Sequence, residues 1–162
     1  MSLTVEDGST VAGADSYVTA TQYQAWADAR FGAARVTMPA NDDAAELLIL
    51  RAMDYFESLS FCGYKIAKAQ PLQFPRSDLT IDGFYINPDE IPSEVVNSIY
   101  ELTYAEEKSI GLMSSIDRAT KMEKVGALEV EYMDNAAGRT ITPAVTAYLR
   151  KLVKPSARVV RI

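Results

Sequence analysis

Apolar residues recur along this chain at helical spacing four times and at strand spacing once. Tyr23, Trp26, Ala27 and Phe31 fall at i, i+3, i+4 and i+8, with Thr19 or Thr21 placed to cap the segment and Gly32 placed to end it in a left-handed conformation. The strongest pattern follows. Ala45, Leu48, Ile49, Ala52, Tyr55, Phe56 and Leu59 make a wide apolar face, Asn41 or Asp42 caps it, and Glu46, Arg51, Asp54, Glu57 and Ser58 lie off it. This predicts the central core helix, closed by Phe61-Cys62-Gly63. A third helix is expected from Pro92 to Gly111, with Val95, Val96, Ile99, Leu102 and Ile110 inward and Asn97, Ser98, Glu101 and Glu107 outward. The period then changes: Leu128, Val130 and Tyr132 alternate with Glu129 and Glu131, a half-buried strand whose partner is read in residues 118–125 with Gly126 at the turn. Lys121 and Lys124 are placed to answer the glutamates across that pair. Thr142 and Pro143 open a last helix that turns Val145, Tyr148, Leu149 and Leu152 to one side and stops at Pro155.

Between the second and third helices the periodicity disappears. Residues 63–91 hold three prolines (Pro71, Pro75, Pro88) and four aromatics (Tyr64, Phe74, Phe84, Tyr85). Proline fixes φ and removes a donor, so the stretch "QPLQFPRSDLTIDG" cannot be regular helix. Long loops inside a compact domain are uncommon, and aromatics offer area to bury, so a folded crossover loop is expected. The predicted fold is mainly α: a compact bundle of about four helices with one β-hairpin, a long ordered crossover and extended N- and C-terminal arms. The 162 residues suit a single domain, with residues 1–16 as the N-terminal arm, 17–152 as the helical core, the hairpin at about 118–133, and 153–162 as the tail. A two-stranded hairpin alone is marginal in water, so it must lie on the helices or pair with a neighbouring chain.

Composition narrows the chemistry. The chain contains no histidine, which removes Ser-His and Cys-His nucleophile pairs, histidine-ligated zinc and histidine acid–base work. Cys62 is the sole cysteine, so no disulfide framework is expected, and with no basic-then-apolar leader at the N-terminus a reducing cytoplasm is the expected site of synthesis. No apolar run approaches the roughly 20 residues that span a bilayer. The net charge of −6 argues against a broad phosphate-gripping surface, though not against a local basic patch.

Individual candidates weigh against an enzyme. Asp42-Asp43, Asp89-Glu90 and Glu106-Glu107 are adjacent pairs, which point to different sides of a helix and do not converge on a metal. Cys62 lacks a base and reads as a small packed residue. No catalytic, cofactor-binding or metal-ligating residue is assigned, and no cofactor is expected. Tyr23, Trp26 and Phe31 could stack bases, but the stripe lacks interleaved Lys and Arg and reads as core. Arg76, following Phe74-Pro75, either pins the loop through backbone carbonyls or meets a partner. The tail carries Lys154, Arg158 and Arg161 around Val159, Val160 and Ile162. It is either a frayed end or a strand that adds to another protein's sheet edge.

Five segments taken in order resemble a family of tailed-phage proteins: "GADSYVTATQYQAWADARFG", "ELLILRAMDYFES", "QPLQFPRSD", "IPSEVVNSIYELTYAE" and "KVGALEVEYM". The family is the small helical head–tail connector, also called adaptor or head-completion protein, often labelled DnaT-like single-stranded DNA-binding protein. The resemblance spans about residues 13–152. It implies a structural virion protein in the neck between capsid and tail, made in the host cytoplasm. Twelve copies would form a ring beneath the portal, extend the DNA channel and present a platform to the next tail protein. It further implies that Lys154, Arg158, Val159, Val160, Arg161 and Ile162 face the portal, and that Arg76, Phe84, Tyr85, Glu129 and Glu131 face neighbouring subunits. Genomic DNA would pass the lumen without sequence-specific contact, and no membrane is involved. The alternative is a single-stranded DNA-binding replication accessory protein, for which an exposed Trp26 or Tyr23 beside basic residues is the discriminating feature.

Overall fold

A computed structural model describes residues 2–32, 35, 37–109, 112, 122–125, 128–131 and 143–154 of the chain. Helix α1 (Ala20–Phe31) starts in a capping box: the Gln22 amide donates to Thr19 Oγ1 at 3.1 Å, and the Thr19 amide donates to Gln22 Oε1 at 2.9 Å. Gly32 ends it with φ 45° and ψ −129°, a positive φ but not the left-handed helical conformation expected of it. Helix α2 (Asp42–Glu57) is capped by Asn41, whose Oδ1 accepts from the Ala44 amide, and Asp42 and Asp43 sit at the positive end of its dipole. It stops at Glu57, earlier than the sequence pattern implies.

Between α2 and the third helix lie two short antiparallel pairs, β1 (Tyr64–Lys65) with β2 (Arg76–Ser77), and β3 (Leu79–Ile81) with β4 (Phe84–Ile86). Helix α3 (Ser93–Glu107) begins one residue after the expected Pro92, which serves as its cap. The hairpin predicted near 118–133 is present as β5 (Met122–Val125) and β6 (Leu128–Glu131), with Lys124 opposite Glu129 in the register. Lys121 and the Gly126 turn lie outside the described residues. Helix α4 (Pro143–Leu152) completes the fold. The architecture is mainly α, with four helices and small antiparallel pairs among the described residues. None of the described helices is long and apolar enough to cross a membrane.

The centre of the bundle differs from the expectation. Helix α3 packs broadly against each of the other three helices, whereas α2 packs broadly against α1 and α3. Val95, Ile99 and Leu102 of α3 are fully buried, and they share one continuous core with Ile49, Ala52 and Phe56 of α2 and Val145 and Leu152 of α4. Three polar residues expected on the outer faces are inside. Glu46 is buried on α2, and Ser98 and Glu107 are buried on α3. Ser98 is tolerated because its hydroxyl donates back to the Glu94 carbonyl at 2.7 Å. Glu107 is tolerated because it is paired: Arg35 donates to both its carboxylate oxygens at 2.9 and 2.7 Å, and Tyr23 Oη donates to Oε2 at 2.6 Å. Arg35 also binds Asp28 at 2.8 Å, and the Arg35 and Glu107 side chains are 1% and 2% exposed. A buried pair of this kind holds only while both partners remain.

The N-terminal arm is ordered within the chain. Buried Glu6 accepts from the Gly8 and Thr10 amides at Oε1 and from the Val11 amide at Oε2, all at 2.9 Å, and its own amide donates to the Ser16 carbonyl. One carboxylate thereby satisfies three backbone donors that no helix or sheet takes up.

Candidate functional site

The crossover from Phe61 to Ile91 is the part of the molecule where rigidity and exposure coincide. Its inner anchor is Phe74, fully buried among Tyr17, Phe56 and Phe61 at ring separations of 6.4, 6.1 and 5.1 Å. The Phe74–Pro75 peptide is cis. The Phe74 amide donates to Tyr17 Oη at 2.9 Å, and Tyr17 Oη donates to Glu57 Oε1 at 3.0 Å, so one phenol ties the loop to the end of α2. Burial raises the Tyr17 hydroxyl well above the ordinary tyrosine range and pushes the Glu57 carboxyl upward.

Arg76 is the second anchor. Its guanidinium donates from Nε to the Cys62 carbonyl at 2.7 Å, from one terminal nitrogen to Gly63 at 2.9 Å and Phe61 at 3.4 Å, and from the other to the Gln73 carbonyl and Oε1 at 3.1 and 2.9 Å. Desolvation pulls its pKa below the usual guanidinium value. Arg76 is buried and spends its donors inside its own chain, which is the loop-pinning role and not the partner-facing one. Gly63 sits under it with φ 69°, where an added Cβ would lie 2.3 Å from the Ser77 carbonyl, so only glycine fits. Gln70, also buried, works from the other side. Its Oε1 accepts from the Ile66 and Ala67 amides at 3.1 and 3.3 Å, and its Nε2 donates to the Leu72 and Pro75 carbonyls at 2.9 Å each. The amide side chain substitutes for the regular pairing that prolines deny this segment.

Three aromatic rings of this scaffold stand open to solvent. Tyr64 is 67%, Phe84 75% and Tyr85 59% exposed. Of the four crossover aromatics, only Phe74 is buried within the chain. Phe84 and Tyr85 stand on a tight hairpin whose turn, Asp82-Gly83, has φ 52° and 88°, the two positive values of a type I′ turn. Leu79 and Ile81 on the facing strand are buried and fix it to the core. Lys151 of α4 holds the turn from outside, with Nζ 2.6 Å from Asp82 and 3.6 Å from Glu94. An Asp-Gly pair between Leu-Thr-Ile and Phe-Tyr-Ile is a hairpin signal that the sequence carries openly.

The aromatic stripe of α1 is disposed the opposite way. Trp26 is 9% exposed and stacked on Tyr100 at 5.2 Å, with Tyr23, Phe31 and Tyr104 around it. Arg30 covers the indole at 4.5 Å. The stripe is core, as its pattern suggests, and its rings are already stacked on each other. A family model for DnaT-like ssDNA binding proteins matches residues 1–162. The chain belongs to that family. No curated protein and no solved structure matches it. Membership of the DnaT-like family brings a DNA-binding description to the chain and says nothing of a virion, a ring or a portal.

Of the other residues singled out in the sequence, Glu129 and Glu131 lie on β6. Lys154 is exposed at the end of α4, where its amide donates to the Ser60 carbonyl, and the Cys62 amide donates to the Leu152 carbonyl. Val153 pairs with Phe61 of the same chain in an antiparallel bridge. Arg158, Val159, Val160, Arg161 and Ile162 lie outside the described residues. Cys62 is half-buried.

Proposed function

We propose that this member of the DnaT-like family is a structural head–tail connector: copies assemble as a ring beneath a portal, extend the DNA channel, join capsid to tail and catalyse nothing. The observation that carries this reading is the β3–β4 hairpin. It is rigidly mounted, and it presents Phe84 and Tyr85 to solvent while the aromatics of α1 and the crossover's Phe74 are enclosed. An apolar pair on a protruding, pre-shaped element is what a subunit contact needs, since little order remains to be imposed on binding. The ordered phage-family motifs support the same reading.

The test is electron microscopy of portal-bearing particles mixed with purified protein, together with sedimentation of the protein alone. A ring at the portal vertex is expected with the native chain and not with Phe84→Ser/Tyr85→Ser. Native protein that leaves the portal bare would end this proposal. The second reading, a single-stranded DNA-binding accessory protein, is favoured by the family description itself. Its stacking residues would not be Trp26 or Tyr23, whose rings are enclosed.

A further inference from the structure

The net negative charge hides a strong polarity. Residues 58–77 and 135–162 contain no Asp or Glu, yet they hold nine of the chain's 16 Lys and Arg; elsewhere seven cations stand against all 22 carboxylates. The fold joins these two acid-free stretches directly. The Phe61–Val153 bridge, with its bonds from Cys62 to Leu152 and from Lys154 to Ser60, sets the end of α4 alongside residues 60–62, which lead into β1 and its loop to β2. Every residue of that loop from 64 to 69 is exposed, while buried Gln70 and Arg76 hold its backbone from within. Tyr64, Lys65, Ile66 and Lys68 all lie on it.

We propose that this pole, formed by Tyr64, Lys65, Lys68 and Lys154, is a sequence-independent contact for single-stranded nucleic acid. The lysines meet backbone phosphates and the exposed Tyr64 ring offers its face to an unstacked base. A flat aromatic flanked by cations is the arrangement that binds single strands without reading sequence. A duplex offers phosphates but no free base face, so Tyr64 has a use only against a single strand. Glu57 faces Lys65 and offsets part of its charge. Glu57 accepts from Tyr17 with its Oε1, and Asp78 follows Ser77, which pairs with Tyr64 at the end of the ladder. The preformed loop removes ordering cost from binding. The proposal rests on the DNA-binding description of the family and assigns it a place. It is separate from the Phe84–Tyr85 hairpin and from the connector reading.

The test is fluorescence anisotropy of a labelled oligothymidylate of about 20 nucleotides, long enough to span one site of the usual size. It is titrated with the full chain over a series of sodium chloride concentrations. The native protein is expected to bind, with affinity falling as salt rises. Tyr64→Ala should weaken binding roughly 5- to 150-fold and leave the salt dependence unchanged. Lys65→Ala/Lys68→Ala should flatten the slope of log K against log salt by about 1.4, the share of two phosphate contacts on a single strand. With a duplex of the same length, the lysine pair should matter and Tyr64 should not. Tyr64 and Lys68 are solvent-exposed, and Lys65 makes one long bond, 3.5 Å to the Gln70 carbonyl, so unfolding midpoints should move little, and they serve as the control. Native protein that ignores the oligonucleotide at low salt overturns the DNA-binding description and this site with it. Binding that survives both variants overturns the site alone. Loss of self-association in the lysine variant, with no DNA binding by the native chain, would assign the patch to the acidic surface of a second copy and also overturn the proposal.

Discussion

Two sets of aromatic residues sit on this molecule and meet opposite fates. On α1, Trp26 is enclosed and Phe31 half-buried against Tyr100 and Tyr104 of α3, with Phe31 and Tyr104 in parallel contact at 4.0 Å. In the crossover, Tyr64, Phe84 and Tyr85 stand in solvent on a backbone fixed by buried polar groups. The first set gains its free energy within one chain. The second leaves its apolar area open, and the hydrogen bonds of Arg76 and Gln70 keep it in shape. Aromatic content therefore says little about a binding surface. What matters is whether the scaffold beneath the rings is satisfied without them.

Substitutions separate the two sets by which measurement responds. The largest stability loss is expected from Trp26→Ala, about 3–5 kcal/mol in urea unfolding, since it deletes a buried ring and leaves a cavity between α1 and α3. Arg76→Met should cost about 2–4 kcal/mol. It keeps an apolar stem but strands the Phe61, Cys62 and Gly63 carbonyls, each with part of its desolvation penalty exposed. Faster amide exchange at Ile66 and Ala67 should accompany the loss, because the loop's inner clamp is gone. Phe84→Ser/Tyr85→Ser should move the unfolding free energy by less than about 0.5 kcal/mol, as surface substitutions do, while abolishing assembly in sedimentation. If that pair destabilises the monomer as much as Trp26→Ala, the distinction between enclosed and presented rings fails.

Helix faces are legible wherever apolar spacing is the deciding force. All four helices fall within a few residues of their predicted ends, and the capping residues Thr19 and Asn41 are among the expected ones. The errors have a common cause. The pattern puts Glu107 outward because a carboxylate normally is; its burial depends on Arg35, 72 residues earlier, and a one-dimensional pattern cannot show so distant a partner. Ser98 hides its hydroxyl in a local bond that spacing does not reveal. The crossover is legible as ordered but not as two ladders, although Asp82-Gly83 carries the turn signal. The polarity of charge is present in the sequence as two acid-free stretches. Spacing does not show that Val153, in one of them, pairs with Phe61 in the other.

The smallest expected effect is a pH dependence at the join between the two sets. Tyr17 touches Phe56 and Phe74, and its hydroxyl links the Phe74 amide to Glu57. Burial raises the Glu57 carboxyl above its ordinary value near 4.5, with the Tyr17 hydrogen bond as the leading opposing effect. A carboxyl with a raised folded pKa binds its proton more tightly when folded than when unfolded. Its contribution therefore favours the fold at low pH, and it declines as pH rises from about 4.5 through the higher folded value. Glu57→Gln keeps an oxygen to accept from Tyr17 and removes the ionisation. The variant should be slightly more stable than the native chain at neutral pH, with a flatter stability profile across the mildly acid range. Urea midpoints measured at closely spaced pH steps would check this. A variant less stable than native at neutral pH would mean that the charge on Glu57, facing Lys65 and Arg76, holds the crossover more strongly than its burial penalises it.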